Sequence, residues 1–295
     1  MRNVLKLNRR ERVEASLRAT IENIAGVSTR YLHHGEGDYG IFLLHGVGVS
    51  ADSWLWNLEQ IGSNAWAIAP DLLGYGMTGE GDYTKGAPQE GIVEHLMAMV
   101  DHLKISKVMI VGSSFGANIA CHLTRRLGSK VDGLVLVGCG PALNTPPLLA
   151  AMYEKSFSNG IAAMKQPTID VCRRRMNNLV HNAASVPEAL LMLQLSLYAL
   201  PGAADRYERR MRGIKEIGSL HRFDITARIQ ELRLPTLVVW GRHDARGDLE
   251  EAKRFASKLP NGEMLIYEEC GHLPYLEYPE RFNSDIAKFL STVRQ

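Results

Sequence analysis

The stretch VMIVGSSFGANIA (108–120) sets two hydroxyls, Ser113 and Ser114, between Gly112 and Gly116, after an apolar run and before a helical one. G-x-S-x-G is a weak pattern alone. At a strand-to-helix turn it puts the central serine in strained geometry, its Oγ projecting at a helix N-terminus that favours developing negative charge. Ser114 occupies that centre, while Ser113 is a small polar neighbour suited to a crowded turn. An alcohol is a poor nucleophile at neutral pH, so Ser114 needs a base, and the base needs an orienting acid. His272 in Cys270-Gly-His-Leu-Pro and Asp244 in Trp240-Gly-Arg-His-Asp each follow an apolar run and meet those needs. Both belong to loops at strand C-terminal ends, where open α/β sheets gather their sites. Asp248 is a weaker candidate for the acid, and His243 reads as structural or exposed. A tetrahedral intermediate also requires oxyanion donors. The backbone N–H of Phe115 is one, and that of Val47, in His45-Gly46-Val47-Gly48, is the other, since its glycines allow close backbone approach. His45 itself reads as a brace for that loop.

These residues demand an α/β frame. Short apolar runs at 40–45, 65–70, 107–112, 131–138, 232–241 and 263–268 predict strands, and helical patterns around 53–61, 90–103, 117–127, 248–259 and 279–290 alternate with them. The runs lack clean alternation of apolar and polar residues, as in strands buried on both faces of a parallel sheet. Strand–helix–strand repetition then implies right-handed crossovers. Alternation breaks at GPALNTPPLLA (140–150), and the chain to about residue 228 reads as helix only. The expected organisation is a core of 1–140 and 229–295 with an all-helical cap at 141–228. The basic opening MRNVLKLNRRERVEASLRAT lacks an apolar signal region, so the first 25 or so residues are expected to form an amphipathic leading helix.

Composition narrows the partners. The chain has 295 residues, 45% of them hydrophobic and 22% charged, with a net charge of +2. That near-neutral balance argues against nucleic acid or a membrane surface as the main partner. The four cysteines, Cys121, Cys139, Cys172 and Cys270, form no C-x-x-C pair, which argues against a zinc site or disulfide framework and fits a reducing, cytoplasmic compartment. No metal and no cofactor is expected.

Taken together, HGVG (45–48), DLLGYGMT (71–78), GSSFG (112–116), WGRHD (240–244) and GHLPYLEYPERF (271–282) resemble the α/β-hydrolase superfamily from about residue 28 onward. The resemblance implies a mostly parallel sheet flanked by helices, with Ser114 as nucleophile, Asp244 as acid, His272 as base, and Val47 and Phe115 as oxyanion donors. DLLGYGMT corresponds to a turn that is usually structural. The cap segment 167–202 resembles that of the meta-cleavage-product hydrolases, which cleave a carbon–carbon bond in vinylogous diketo acids. Those enzymes carry a cap arginine for the substrate carboxylate, and the matching position here is Gln194; the residue after the histidine, often tryptophan there, is Leu273. An amide lacks the charged bidentate fork of arginine. Arg173, Arg174 or Arg175 could substitute, although three adjacent helical positions cannot share one face, and the run reads as a solvated surface. A carboxylic ester or lactone needs no such anchor, so ester hydrolysis is the expected activity, with carbon–carbon hydrolysis or a ligand-receptor role as alternatives. Gly46, Gln194 and Leu273 are the expected contacts to a small substrate, apolar or aromatic in its acyl or alcohol part.

Overall fold

The computed structural model describes residues 16–63, 65–82, 86–140 and 146–294. The described chain opens on a hairpin instead of the expected leading helix: β1 (Arg18–Ile24) pairs antiparallel with β2 (Val27–His34). Ala25 (φ 50°) and Gly26 (φ 86°) form the two-residue loop, and both lie in the left-handed region that a type I′ turn requires. Residues 1–15 of that expectation lie outside the described residues.

Six further strands follow: β3 (Tyr39–Leu44), β4 (Trp66–Pro70), β5 (Lys107–Ser113), β6 (Val131–Val137), β7 (Thr236–Gly241) and β8 (Gly262–Tyr267). The sheet order is β1-β2-β4-β3-β5-β6-β7-β8, and every pair from β4 to β8 is parallel. Period-two geometry sends alternate side chains to opposite faces. Phe42, Leu44, Ile110, Leu134 and Val238 thus join one apolar cluster, and Ile41, Leu43, Val111, Val135 and Val239 join another. Both faces are dry, which is why these strands read as continuous apolar runs.

Helices cover both faces. The first cluster packs against α2 (Pro88–His102), α3 (Phe115–Leu127) and α9 (Leu249–Ala256). The second packs against α1 (Leu58–Ile61), α10 (Pro274–Glu277) and α11 (Pro279–Val293). Between β6 and β7 the described residues contain no strand. They form α4 (Pro146–Lys165), α5 (Ile169–Asn177), α6 (Glu188–Tyr198), α7 (Ala203–Lys215) and α8 (Ile217–Arg222).

Candidate active site

Ser114 links β5 to α3 with φ 55° and ψ −117°, a region that costs a non-glycine residue about 1–3 kcal/mol. The turn is over-determined by its neighbours. A Cβ on Gly112 would lie 2.4 Å from the Gly116 carbonyl oxygen, and one on Gly116 would lie 2.4 Å from that of Leu44. Both positions must therefore be glycine for helix and strands to approach this closely. Ser113, paired with Val137 in the sheet register, is fully buried.

The ends of β7 and β8 bring the other two polar groups together. His243 N–H donates to the Cys270 carbonyl at 2.9 Å, which joins the two loops. Within them, His272 Nδ1 lies 2.7 Å from Asp244 Oδ2, with both residues buried. The other Asp244 oxygen accepts the Arg246 N–H at 2.7 Å, so the carboxylate is held at both ends. With the carboxylate accepting from Nδ1–H, the Nε2 lone pair of His272 is left free to take a proton. Gly138 (φ 50°), just past β6, makes room for the imidazole: a Cβ there would stand 2.9 Å from His272 Nδ1.

Ser114 and His272 line one cleft of about 330 Å³, together with Gly46, Val47 and Leu273. No hydrogen bond joins Ser114 Oγ to His272 among the described residues; in unliganded sites such contacts are commonly long and tighten around substrate. Gly46 lies against the serine, since a Cβ on it would be 3.2 Å from Ser114 Cβ. Phe115 heads α3, where an N–H has no intrahelical acceptor. Neither its N–H nor that of Val47 donates to another group among the described residues.

Buried polar contacts fix the loop that bears Val47. His45 Nε2 accepts the Leu72 N–H at 3.0 Å, so its Nδ1 carries the proton and donates to the Gly46 carbonyl at 2.8 Å. Burial lowers the His45 pKa and keeps the ring neutral, as a brace requires. Farther along, Arg30 pairs with Asp52 at 2.6 Å and with Asp71 at 3.1 Å. Asp71 also accepts the Ala51 and Met77 N–H groups at 2.8 and 2.9 Å, which ties the 71–78 turn to the loop.

Gln194 lies elsewhere. It lines a separate cavity of about 50 Å³, with Gly48, Ser50 and Tyr198 among its walls. Its amide donates to the Tyr198 hydroxyl at 2.8 Å and to the Gly48 carbonyl at 3.4 Å, so it supports the loop bearing Val47 from behind.

Two arginines line the Ser114 cleft instead. Of the three on α5, Arg173 turns outward to Glu188 and Arg174 is exposed. Arg175 turns inward, donates to the Val47 carbonyl at 3.3 Å and lies 5.9 Å from the Tyr198 ring centre. Arg246 joins it from the Asp244 loop. Burial and then the Arg175 charge lower the Arg246 pKa, while Asp244 opposes them. Neither guanidinium is ion-paired to a carboxylate among the described residues. A part-buried double positive charge beside an open cleft favours an anionic ligand.

Glu277 is a further residue that the sequence did not single out. One of its oxygens accepts the Gly271 N–H at 2.7 Å, and the other accepts those of His181 and Asn182 at 2.8 and 3.0 Å. His272 N–H also donates to the Leu179 carbonyl at 2.8 Å. The helical insertion is thus stitched directly to the His272 loop.

The strained elbow, the coupled His–Asp pair and the eight-stranded sheet define a serine hydrolase of the α/β type. Residues 41–285 match the model of the alpha/beta hydrolase family, and the chain belongs to that family. It is 28% identical over 269 residues to a 2-hydroxy-6-oxononadienedioate/2-hydroxy-6-oxononatrienedioate hydrolase of Paraburkholderia xenovorans, covering 90% of this chain and 91% of the relative. A meta-cleavage product hydrolase from Pseudomonas fluorescens is 25% identical with a TM-score of 0.75, covering 95% of this chain and 98% of the other. A serine hydrolase involved in carbazole degradation is 26% identical with a TM-score of 0.77, covering 94% of this chain and 100% of the other.

Proposed function

We propose that this hydrolase cleaves a carbon–carbon bond in a vinylogous diketo acid, with Ser114 as nucleophile, His272 as base and Asp244 as orienting acid. The observation that carries the choice of substrate is the pair Arg175 and Arg246 in the Ser114 cleft, neither of them ion-paired to a carboxylate among the described residues. The ester reading rested on an amide, Gln194, at the expected anchor position. Two guanidiniums beside the nucleophile supply what that amide lacks. Two relatives' names point the same way: the curated one is a 2-hydroxy-6-oxononadienedioate/2-hydroxy-6-oxononatrienedioate hydrolase, and a solved one is a meta-cleavage product hydrolase.

The chemistry follows from the geometry. His272 Nε2 removes the Ser114 proton as Oγ attacks the ketone carbon, and the Val47 and Phe115 N–H groups receive the oxyanion. Collapse expels the neighbouring carbon with its electron pair, which the conjugated carbonyl of the dienoate delocalises while the carboxylate sits on the arginines. His272 gives the proton it took from Ser114 to the departing dienolate, and the acyl group remains on Ser114. Water, deprotonated by His272, then releases the carboxylic acid and restores the serine. The insertion acts as a cap over this cleft, with Leu273 and Gly46 against the substrate. No helix among the described residues is long and apolar enough to cross a membrane. With the four cysteines free and buried, a cytoplasmic enzyme acting on a small aromatic-derived acid is the favoured reading.

Turnover of a panel containing a vinylogous diketo acid, p-nitrophenyl esters and lactones tests this reading. A kcat/KM for the diketo acid well above that for every ester supports it. Ester turnover alone would return the assignment to ester hydrolysis.

A further inference from the structure

We propose that His181, His243 and Glu269 form a site for one divalent transition-metal ion that fastens the helical insertion to the two loops bearing Asp244 and His272. His181 belongs to the segment between α5 and α6, His243 immediately precedes Asp244, and Glu269 stands three residues before His272. The two imidazole rings stack with centroids 4.2 Å apart and planes 14° apart. Glu269 Oε2 lies 3.4 Å from His181 Nε2 and 4.0 Å from His243 Nε2. One ligand atom from each residue falls within 4.8 Å of the other two.

Those separations suit coordination. Metal–nitrogen and metal–oxygen bonds of about 2.0–2.2 Å at tetrahedral angles place ligand atoms roughly 3.4 Å apart. The His181–Glu269 pair already meets that distance, and His243 must turn out of its stack on His181 to aim its lone pair at the same ion. The backbones need not move, because His181 N–H is held by Glu277 and His243 N–H by the Cys270 carbonyl. Two imidazoles and one carboxylate favour zinc, nickel, cobalt or copper over magnesium or calcium, which prefer all-oxygen sites. All three side chains are exposed, so an ion enters freely and water completes its coordination.

The bound ion would join the insertion to the core beside the Glu277 clamp. Each ligand comes from a different loop, so binding the folded form alone raises its stability by mass action.

Calorimetric titration of the full chain, first stripped with chelator, with zinc chloride and with cobalt chloride tests the site. One ion per chain and a raised Tm are expected, with a cobalt visible spectrum typical of nitrogen and oxygen ligands. His181→Ala and His243→Ala should each weaken binding by at least about tenfold. In chelator their Tm should stay near that of the parent, because exposed substitutions are nearly neutral. Glu269→Gln should also weaken binding, whereas His221→Ala, on another exposed surface, should leave it intact. Absence of zinc and cobalt binding in the parent chain, or full one-to-one binding in the His181→Ala/His243→Ala chain, would overturn the proposal.

Discussion

Replacing Arg175 by Gln separates the anchor role from a merely supporting one. Its guanidinium faces the Ser114 cleft, and its Nη2 reaches the Val47 carbonyl at 3.3 Å. A hydrogen bond to a charged group contributes about 1.5–3 kcal/mol. Losing that contact to a substrate carboxylate should therefore lower kcat/KM about 10- to 150-fold, mostly through KM. The Val47 contact is to an uncharged carbonyl and long at 3.3 Å, so loosening that loop should cost about 1 kcal/mol, or roughly fivefold, on every substrate alike. The assay is steady-state kinetics on the diketo acid and on p-nitrophenyl butyrate, compared as a ratio of effects. Arg246→Gln should give a smaller loss on the anion, because its removal also relieves the repulsion that Arg175 imposes. The two changes share one ligand, so the double variant should fall short of the product of the single losses. Equal losses on the anionic and neutral substrates would refute the anchor role and leave Arg175 as a brace.

Other substitutions probe the remaining parts of the site. Ser114→Ala should abolish turnover while the chain stays folded, and Ser113→Ala should keep most of it, as paired kinetic and circular-dichroism measurements would record. Gln194→Arg should fail to lower KM for the anion, because residue 194 faces a different cavity. Asp71→Ala should destabilise by about 1–3 kcal/mol in urea, since Arg30 keeps its Asp52 partner while the buried Ala51 N–H loses its acceptor. His95, whose Nε2 lies 2.9 Å from Thr29 Oγ1, has its pKa lowered by burial to about 4. Between that value and the unfolded pKa near 6.5, the unfolded chain binds the extra proton, so stability is present above 6.5 and falls with pH. From pH 7 to pH 5 the loss is about 2 kcal/mol, and His95→Gln should flatten that part of the urea-midpoint profile.

The parallel strands and the Ser114, Asp244 and His272 loops were legible because their signals are local. Apolar runs end in turn residues, and the chemical side chains follow immediately. The hairpin of β1 and β2 was obscured because β1 is a half-exposed edge strand, with Arg18, Thr20 and Glu22 alternating among apolar residues. Charged residues there mimic a solvated helix, and the useful signal was the Ala25-Gly26 pair between β-branched stretches. Arg175 was harder still. Helical rotation separates three identical neighbours, but only the packing of α5 decides which one turns toward the cleft. Arg246 and Glu277 carry no motif of their own. Their importance comes from residues far away in the chain, which a single sequence does not place beside them.

The φ of 55° at Ser114 sets heat tolerance against chemistry at one codon. Glycine occupies that region freely, so a Ser114→Gly chain should unfold at a higher temperature than its parent while losing the proposed nucleophile. A laboratory population selected only for folded protein after heating would drift toward inactive chains at this position. Screens for hardier versions of this enzyme therefore have to score turnover in every round, beginning with the first.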